Sequence, residues 1–239
     1  MQLDVFTLVP HAFAWLTEQR PVATVLGNEL DLRLFSYRDF TPLRAGQIDD
    51  EPYGGGAGMV LRVDVVAAAL DAVYGEAPAH RVVALTPTGR QLRQAEVEEL
   101  AGEEWLTLLS ARYEGFDERI VEHLATDAIS IGPYVLSNGD LPAMVLVDAI
   151  ARRLPGALAE GSGELESFSE AFEGGREHPH YTRPADFRGW SVPEVLLSGD
   201  HARVDRWRRE QVVKPPVGEA DQSTASGGSG RFPQRMGTT

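Results

Sequence analysis

Three stretches of this 239-residue chain carry residue types and spacings that suit ligand chemistry. The first is Asp49-Asp50-Glu51-Pro52-Tyr53-Gly54-Gly55-Gly56-Ala57-Gly58-Met59. Four glycines in five positions permit positive φ and close approach of backbone to a ligand, and the N–H groups of such a loop can cradle an anion. It is not a P-loop, because no Lys-Ser/Thr follows, and it lacks the Gly-x-Gly-x-x-Gly spacing. Taken only as a glycine loop, it reads equally as a ligand contact or a flexible turn. The second is Ala111-Arg112-Tyr113-Glu114-Gly115-Phe116-Asp117-Glu118-Arg119, directly after an apolar run. In open α/β sheets ligands bind at the carboxyl ends of strands; the alternative is a helix cap with solvated charges. The third, Ser130 to Met144, sets Gly132-Pro133 and Asn138-Gly139 around apolar residues and leads into a helix. So much turn punctuation suggests backbone wrapped around a flat, partly apolar ligand.

These stretches must be positioned by regular elements. Gln2–Val9 and Glu29–Phe35 alternate and read as strands. Arg81–Thr86, closed by Pro87 and Gly89, and Trp105–Leu109 read as buried strands; Ala128–Ile131 and Tyr134–Leu136 read as short ones. Helical spacing covers His11–Gln19, Val60–Tyr74, Glu96–Glu103, Phe116–Ala125 and Pro142–Arg153, the last with Pro in its first turn, where a missing N–H costs nothing. Strands alternating with helices predict an α/β fold with a mostly parallel sheet. Residues 159–177 turn rich in Gly, Ser and Glu and read as a linker. A small unit follows at 178–211, ending in a helix over Asp200–Gln211. Residues 212–239 are Gly/Ser/Pro-rich and predict disorder.

Composition narrows the chemistry. Apolar residues at 43% suffice for a sizeable core, and no apolar run approaches the roughly 18 residues of a membrane span. The absence of Cys excludes disulfides, thiolate zinc sites and cysteine nucleophiles, and fits a reducing compartment. The opening Met-Gln-Leu-Asp has no basic n-region, so a secretory signal is not expected. Net charge is −14, but Arg176–Arg209 carries +2 while the first 175 residues hold −16. An acidic body with a locally basic C-terminal part can still meet a polyanion through one face. His178 and His180 are spaced for chelation, yet no third ligand is evident and no metal site is predicted.

The segments DDEPYGGGAGM, RYEGFDER, SIGPYVLSNGDLPAM, PHYTRP and VPEVLLSGDHARVDRWR, in that order over residues 1 to about 211, resemble the bacterial tRNA (guanine-37 N1)-methyltransferase family, TrmD. The resemblance implies a SPOUT-type mostly parallel sheet with a deep trefoil knot, plus a small helical C-terminal domain. It divides the chain into a knotted S-adenosylmethionine-binding domain (1–158), a linker (159–177), a tRNA-binding domain (178–211) and a tail (212–239). It also implies a cytoplasmic homodimer whose sites are shared between chains.

By position in those motifs, the resemblance implies cofactor contacts at Leu85, Pro87, Gly89, Ala111, Tyr113, Glu114, Ser130, Ile131, Gly132, Tyr134, Leu136, Asn138, Gly139 and Pro142. Asp50, Gly54, Gly55 and Gly56 fall near the target guanine. Arg183, Arg188 and Arg208, with Arg203 and Arg206, are candidates for tRNA phosphate, and Tyr181 or Trp207 for stacking or packing. The implied reaction is methyl transfer to guanine N1, which needs a base for the N1 proton and a cation for charge developing on O6. Arg152 stands at the position of the family's arginine. Glu166, in Leu-Glu-Ser-Phe, stands where the family has Asp, so its carboxylate sits one methylene farther out. Two other readings accompany this one: a catalytically impaired knotted binder of tRNA or cofactor, and a knotted methyltransferase acting on another RNA position.

Overall fold

The computed structural model describes residues 1–75, 78–159, 162–163 and 166–214. Its contacts divide the chain into two units, Met1–Gly163 and Glu164–Thr239.

The first unit is organised by strands β1 (Gln2–Thr7), β2 (Asp31–Ser36), β5 (Arg81–Gln91), β6 (Trp105–Ser110) and β7 (Asp127–Ser130). They form one sheet in the order β2-β1-β6-β5-β7, parallel throughout. A parallel sheet must be covered on both faces, and two apolar clusters do this. One joins Leu3, Val5, Val83, Leu106 and Leu108 to Leu146, Val147 and Ile150; the other joins Phe6, Val82 and Leu109 to Val65, Val66, Leu70 and Ile120. The period-two alternation of β1, β2, β5 and β6 sends neighbouring apolar residues to opposite clusters.

The α-helices of this unit overlap the stretches with expected helical spacing, except the short one at Val22–Val25, where none is expected. They are α1 (Ala14–Glu18), α2 (Val22–Val25), α3 (Val63–Tyr74), α4 (Gln94–Ala101), α5 (Glu118–His123) and α6 (Asp140–Ala151). Helix α6 buries Ala143, Leu146, Val147 and Ile150 on one side, the i, i+3, i+4, i+7 spacing of a core-facing helix. Asp117 starts α5, its side chain accepting from the Arg119 N–H at 3.0 Å. A short antiparallel pair, β3 (Asp49–Asp50) and β4 (Val60–Leu61), closes the base of the glycine loop.

Two expectations about strands change. The strand begun at Arg81 does not stop at Pro87: β5 continues to Gln91 and pairs twice with β7, with a register shift between Leu85 and Arg90. Gly89 makes this second contact possible, since a Cβ there would lie 2.5 Å from the Ala128 carbonyl carbon. Tyr134–Leu136 is not a strand. It has no partner strand; the Tyr134 N–H donates to Gly132 O at 2.9 Å and its hydroxyl to Ile131 O at 3.2 Å, so the segment curls on itself.

The second unit contains a hairpin, β8 (Asp186–Phe187) with β9 (Trp190–Ser191), and helices α7 (Glu194–Leu197) and α8 (His201–Glu210). Asp200 caps α8 by accepting from the Arg203 N–H at 3.1 Å. Trp207 is half-buried against Tyr181 and His178, with ring centroids 6.4 and 6.5 Å apart. Residues 212–214, read from sequence as the start of the tail, bond back: Arg176 and Val213 exchange two backbone bonds of 2.9 and 3.0 Å. Residues 215–239, the rest of that tail, lie outside the described residues, as do 160–161 and 164–165 of the expected linker. No helix among the described residues is long and apolar enough to cross a membrane.

Candidate active site

At the carboxyl ends of β6 and β7, beside the Leu85–Thr88 stretch in the middle of β5, lies a cavity of about 340 Å³. Its wall is drawn from the strand ends and the two turn-rich segments after β6 and β7. Leu85, Pro87, Ala111, Tyr113, Glu114, Ser130, Ile131, Gly132, Tyr134, Leu136, Asn138, Gly139 and Pro142 all line it. Gly89 does not; it serves the β5–β7 contact. Sequence reasoning missed Thr86, Thr88, Arg112, Phe116, Glu118, Val121 and Val135, which also line the cavity. Several of these flank the recognised motifs, and only their closeness to strand ends could have pointed to them.

Local hydrogen bonding holds the wall. Ser130 Oγ donates to Gly132 O at 3.1 Å, which sets the turn after β7. Gly139 N–H donates to Ala111 O at 2.7 Å, and Asn138 pairs with Arg112 as an isolated antiparallel bridge. The segments after β6 and β7 are thus tied to one another. Tyr113 adopts φ 60° and leaves its ring 44% exposed beside the cavity.

The glycine loop lies outside the cavity wall but is attached to it. Gly54, Gly55, Gly56 and Gly58 all take positive φ. Glu114 N–H donates to Met59 O at 2.9 Å, and Leu61 N–H to Gly115 O at 3.0 Å, so the loop's return strand runs beside the segment that lines the cavity. Asp50, at the loop's base, accepts from Arg62 at 2.7 Å; the same arginine also holds Asp64.

Of the two residues matched to acid–base and oxyanion roles, Arg152 is absent from the cavity lining and Glu166 belongs to the second unit. Arg152 is the residue after α6 and donates its N–H to Asp148 O at 3.1 Å. Burial holds the Asp148 carboxyl above its ordinary value, and the Arg152 charge offsets only part of that rise. Asp140 opens α6 beside the cavity, so Arg152 stands about 18 Å farther along the helix. Glu166 belongs to the second unit, where its carbonyl accepts from the Ser169 N–H at 3.1 Å.

The basic candidates also belong to the second unit. Arg183 and Arg188 are exposed; Arg188 sits at φ 60° in the β8–β9 turn with its guanidinium 5.0 Å from the Phe187 ring. Arg208 lies 3.8 Å from Asp205 on α8. His180 Nε2 bonds Glu177 at 2.8 Å, and burial lowers the His178 imidazole below its ordinary value. Among the described residues no group of three metal-ligating side chains converges.

A wholly parallel sheet with a cavity at the ends of its strands defines an α/β protein, and cavities in that position are where α/β folds place small-molecule sites. The chain belongs to the tRNA (guanine-1)-methyltransferase TrmD family, whose profile matches residues 1–217. A tRNA (guanine-N(1)-)-methyltransferase of Geobacter metallireducens is 47% identical over 219 residues, covering 91% of this chain and 88% of that protein. Proteins of the same name from Dehalococcoides mccartyi strain CBDB1 and Brevibacillus brevis are each 45% identical over 216 residues. Those matches cover 90% of this chain and 86% and 87% of the respective relatives. The chain is accordingly a methyltransferase of the tRNA (guanine-N1) class, and its reaction requires a methyl donor.

Proposed function

We propose that this enzyme transfers a methyl group from S-adenosylmethionine to N1 of guanine 37 in tRNA. The observation that carries the reading is the cavity, walled by the motif residues after β6 and β7 and by the middle of β5. Its size falls within the range of small-molecule sites. Leu85, Ile129, Ile131, Leu136 and Pro142 offer apolar surface to a purine ring, and the turns at Gly132 and Gly139 bring backbone polar groups to its edge. A side chain at Gly132 would overlap the Tyr134 ring, 2.9 Å from Cζ, and that half-exposed ring would have to shift to admit it. The wall therefore fits an adenosyl group. When bound, S-adenosylmethionine supplies an electrophilic methyl.

The chain's own groups then have defined tasks. Glu166 accepts the N1 proton as the N1 lone pair turns nucleophilic. Arg152 donates to O6, where negative charge develops. Asp50 and Gly54–Gly56 border the target base, and Arg183, Arg188 and Arg208 hold tRNA phosphates. The distance of Arg152 from its own cavity along α6 favours a homodimer in which one protomer's arginine serves the partner's donor site. Leu141 and Val145, one turn apart on α6 and 53% and 45% exposed, give such a dimer an apolar contact face. The doubled contact of β5 with β7 and the curled 131–139 segment suit a deep trefoil knot around the donor. The second unit acts as the small tRNA-binding domain, and the setting is the cytoplasm, where tRNA is processed.

Calorimetric titration with S-adenosylmethionine tests the donor site. Saturable binding, abolished by Gly132→Val, is the expected result. A wild-type protein that binds no donor would overturn the reading.

A further inference from the structure

Asp140 is buried, 4% exposed, and has no part in the proton transfer described above. Its Oδ1 accepts from Thr7 Oγ1 at 2.5 Å and from Ser110 Oγ at 2.7 Å. These donors are the last residues of β1 and β6. The Asp140 backbone N–H donates in turn to Asn138 Oδ1 at 3.0 Å. Asn138 and Gly139 line the cavity, and Gly139 is pressed so closely on β6 that a Cβ would lie 3.0 Å from Ser110 Cα and Ala111 N. One carboxylate thus fastens two strand ends to the turn that forms part of the cavity wall. An apolar side chain would fill this space at a smaller desolvation cost. What an acceptor adds is direction: two hydroxyls from neighbouring strands converge on a single oxygen.

We propose that Asp140 is a positioning residue for the methyl donor, holding the Asn138–Gly139 turn against the end of β6 so that the wall keeps the shape the donor needs. The inference rests on the reading that the cavity takes the donor. Tyr37 is fully buried behind the cavity, and its pKa is raised well above the ordinary value by burial first and by the nearby Asp140 charge second.

The test uses the full chain and two separate titrations, one with S-adenosylmethionine by calorimetry and one with tRNA by filter binding. Asp140→Ala should weaken donor binding about tenfold or more and raise the donor KM in step, with tRNA affinity within about twofold of wild type. Asp140→Asn keeps the Oδ1 acceptor and should recover donor affinity to within about threefold of wild type. If Asp140→Ala does not fold, Ser110→Ala and Thr7→Val, which each remove one donor hydroxyl, should weaken donor binding about two- to fivefold. Folded variants with unchanged donor affinity would overturn the proposal. So would an Asn variant as weak as the Ala variant, or a parallel loss of tRNA affinity. Failure of the wild-type protein to bind donor would instead overturn the reading of the cavity.

Discussion

The side chain of Glu114 lies directly over Gly58, so that a Cβ at Gly58 would come within 2.6 Å of Glu114 Cγ. Glu114 lines the cavity, while Gly58 ends the glycine loop at φ 85°. The two motifs that bring the loop and the cavity together are thus in van der Waals contact, and the contact depends on the absence of a side chain.

Gly58→Ala should therefore displace Glu114 and strain the loop at the same time. The expected outcome is a fall in kcat/KM of about tenfold or more with a thermal midpoint close to wild type, because the loop lies outside both apolar clusters. Steady-state kinetics alongside a melting curve checks this; unchanged kinetics would remove the coupling between loop and cavity.

Much of this architecture is legible in the sequence, and the parts that are not have physical reasons. The five parallel strands could be read from runs such as Arg81–Leu85 and Trp105–Leu109, because both faces of each are buried and little but apolar residues can stand there. The extension of β5 past Pro87 could not, since Pro and Gly normally end strands and only the tertiary contact of Gly89 with Ala128 reverses that preference. Tyr134–Leu136 has strand-like residues but no neighbour to pair with, a fact that no local pattern carries. The cavity wall came from motif positions. Asp140 was passed over because an Asp in the first turn of a helix is ordinary, and only the three-dimensional arrival of Thr7 and Ser110 makes it unusual.

Removing the carboxylate proposed as base should separate chemistry from binding. Glu166→Gln should lower kcat about a hundredfold or more with donor affinity unchanged, and Glu166→Asp should retain most of the activity. Arg152→Ala should lower kcat by a similar factor. Single-turnover rates measured with saturating tRNA and donor distinguish these losses from weaker binding. Full activity in Glu166→Gln and Arg152→Ala would take both residues out of the mechanism.

The shared-site reading makes a prediction about mixtures. Arg152→Ala and Gly132→Val, each inactive alone, should regain activity when co-expressed and purified as a mixed dimer, because one of its two sites then combines an intact cavity with an intact arginine. A mixed dimer as inactive as its parents would show that each chain supplies its own arginine.

Stability should depend on acid in two stages. Asp4 is fully buried; burial alone would raise its carboxyl, but bonds from Arg33, Trp105 and Tyr74 outweigh this and hold it below the ordinary 3.8. Burial holds the His80 imidazole below its ordinary 6.5. For both groups the unfolded chain binds its proton at a higher pH than the folded one, so the folded state loses stability as pH falls. Denaturant midpoints should be level above pH 6.5, decline modestly below it as His80 and His178 are protonated in the unfolded chain, with the raised Asp148 carboxyl offsetting part of the decline, and drop more steeply below pH 3.8. Asp4→Ala should cost about 3 kcal/mol by leaving its donors unpaired and should flatten the steep stage. A midpoint that rises on acidification would contradict the assignment.

The most direct test of the central claim is nucleoside mass spectrometry on paired tRNA transcripts, identical except for guanine or adenine at position 37, after incubation with enzyme and S-adenosylmethionine. The account predicts 1-methylguanosine in the guanine transcript, mapped to position 37, and no methylated guanosine in its partner. Methylation at another position, or none on either transcript by a protein that binds the donor, would contradict it.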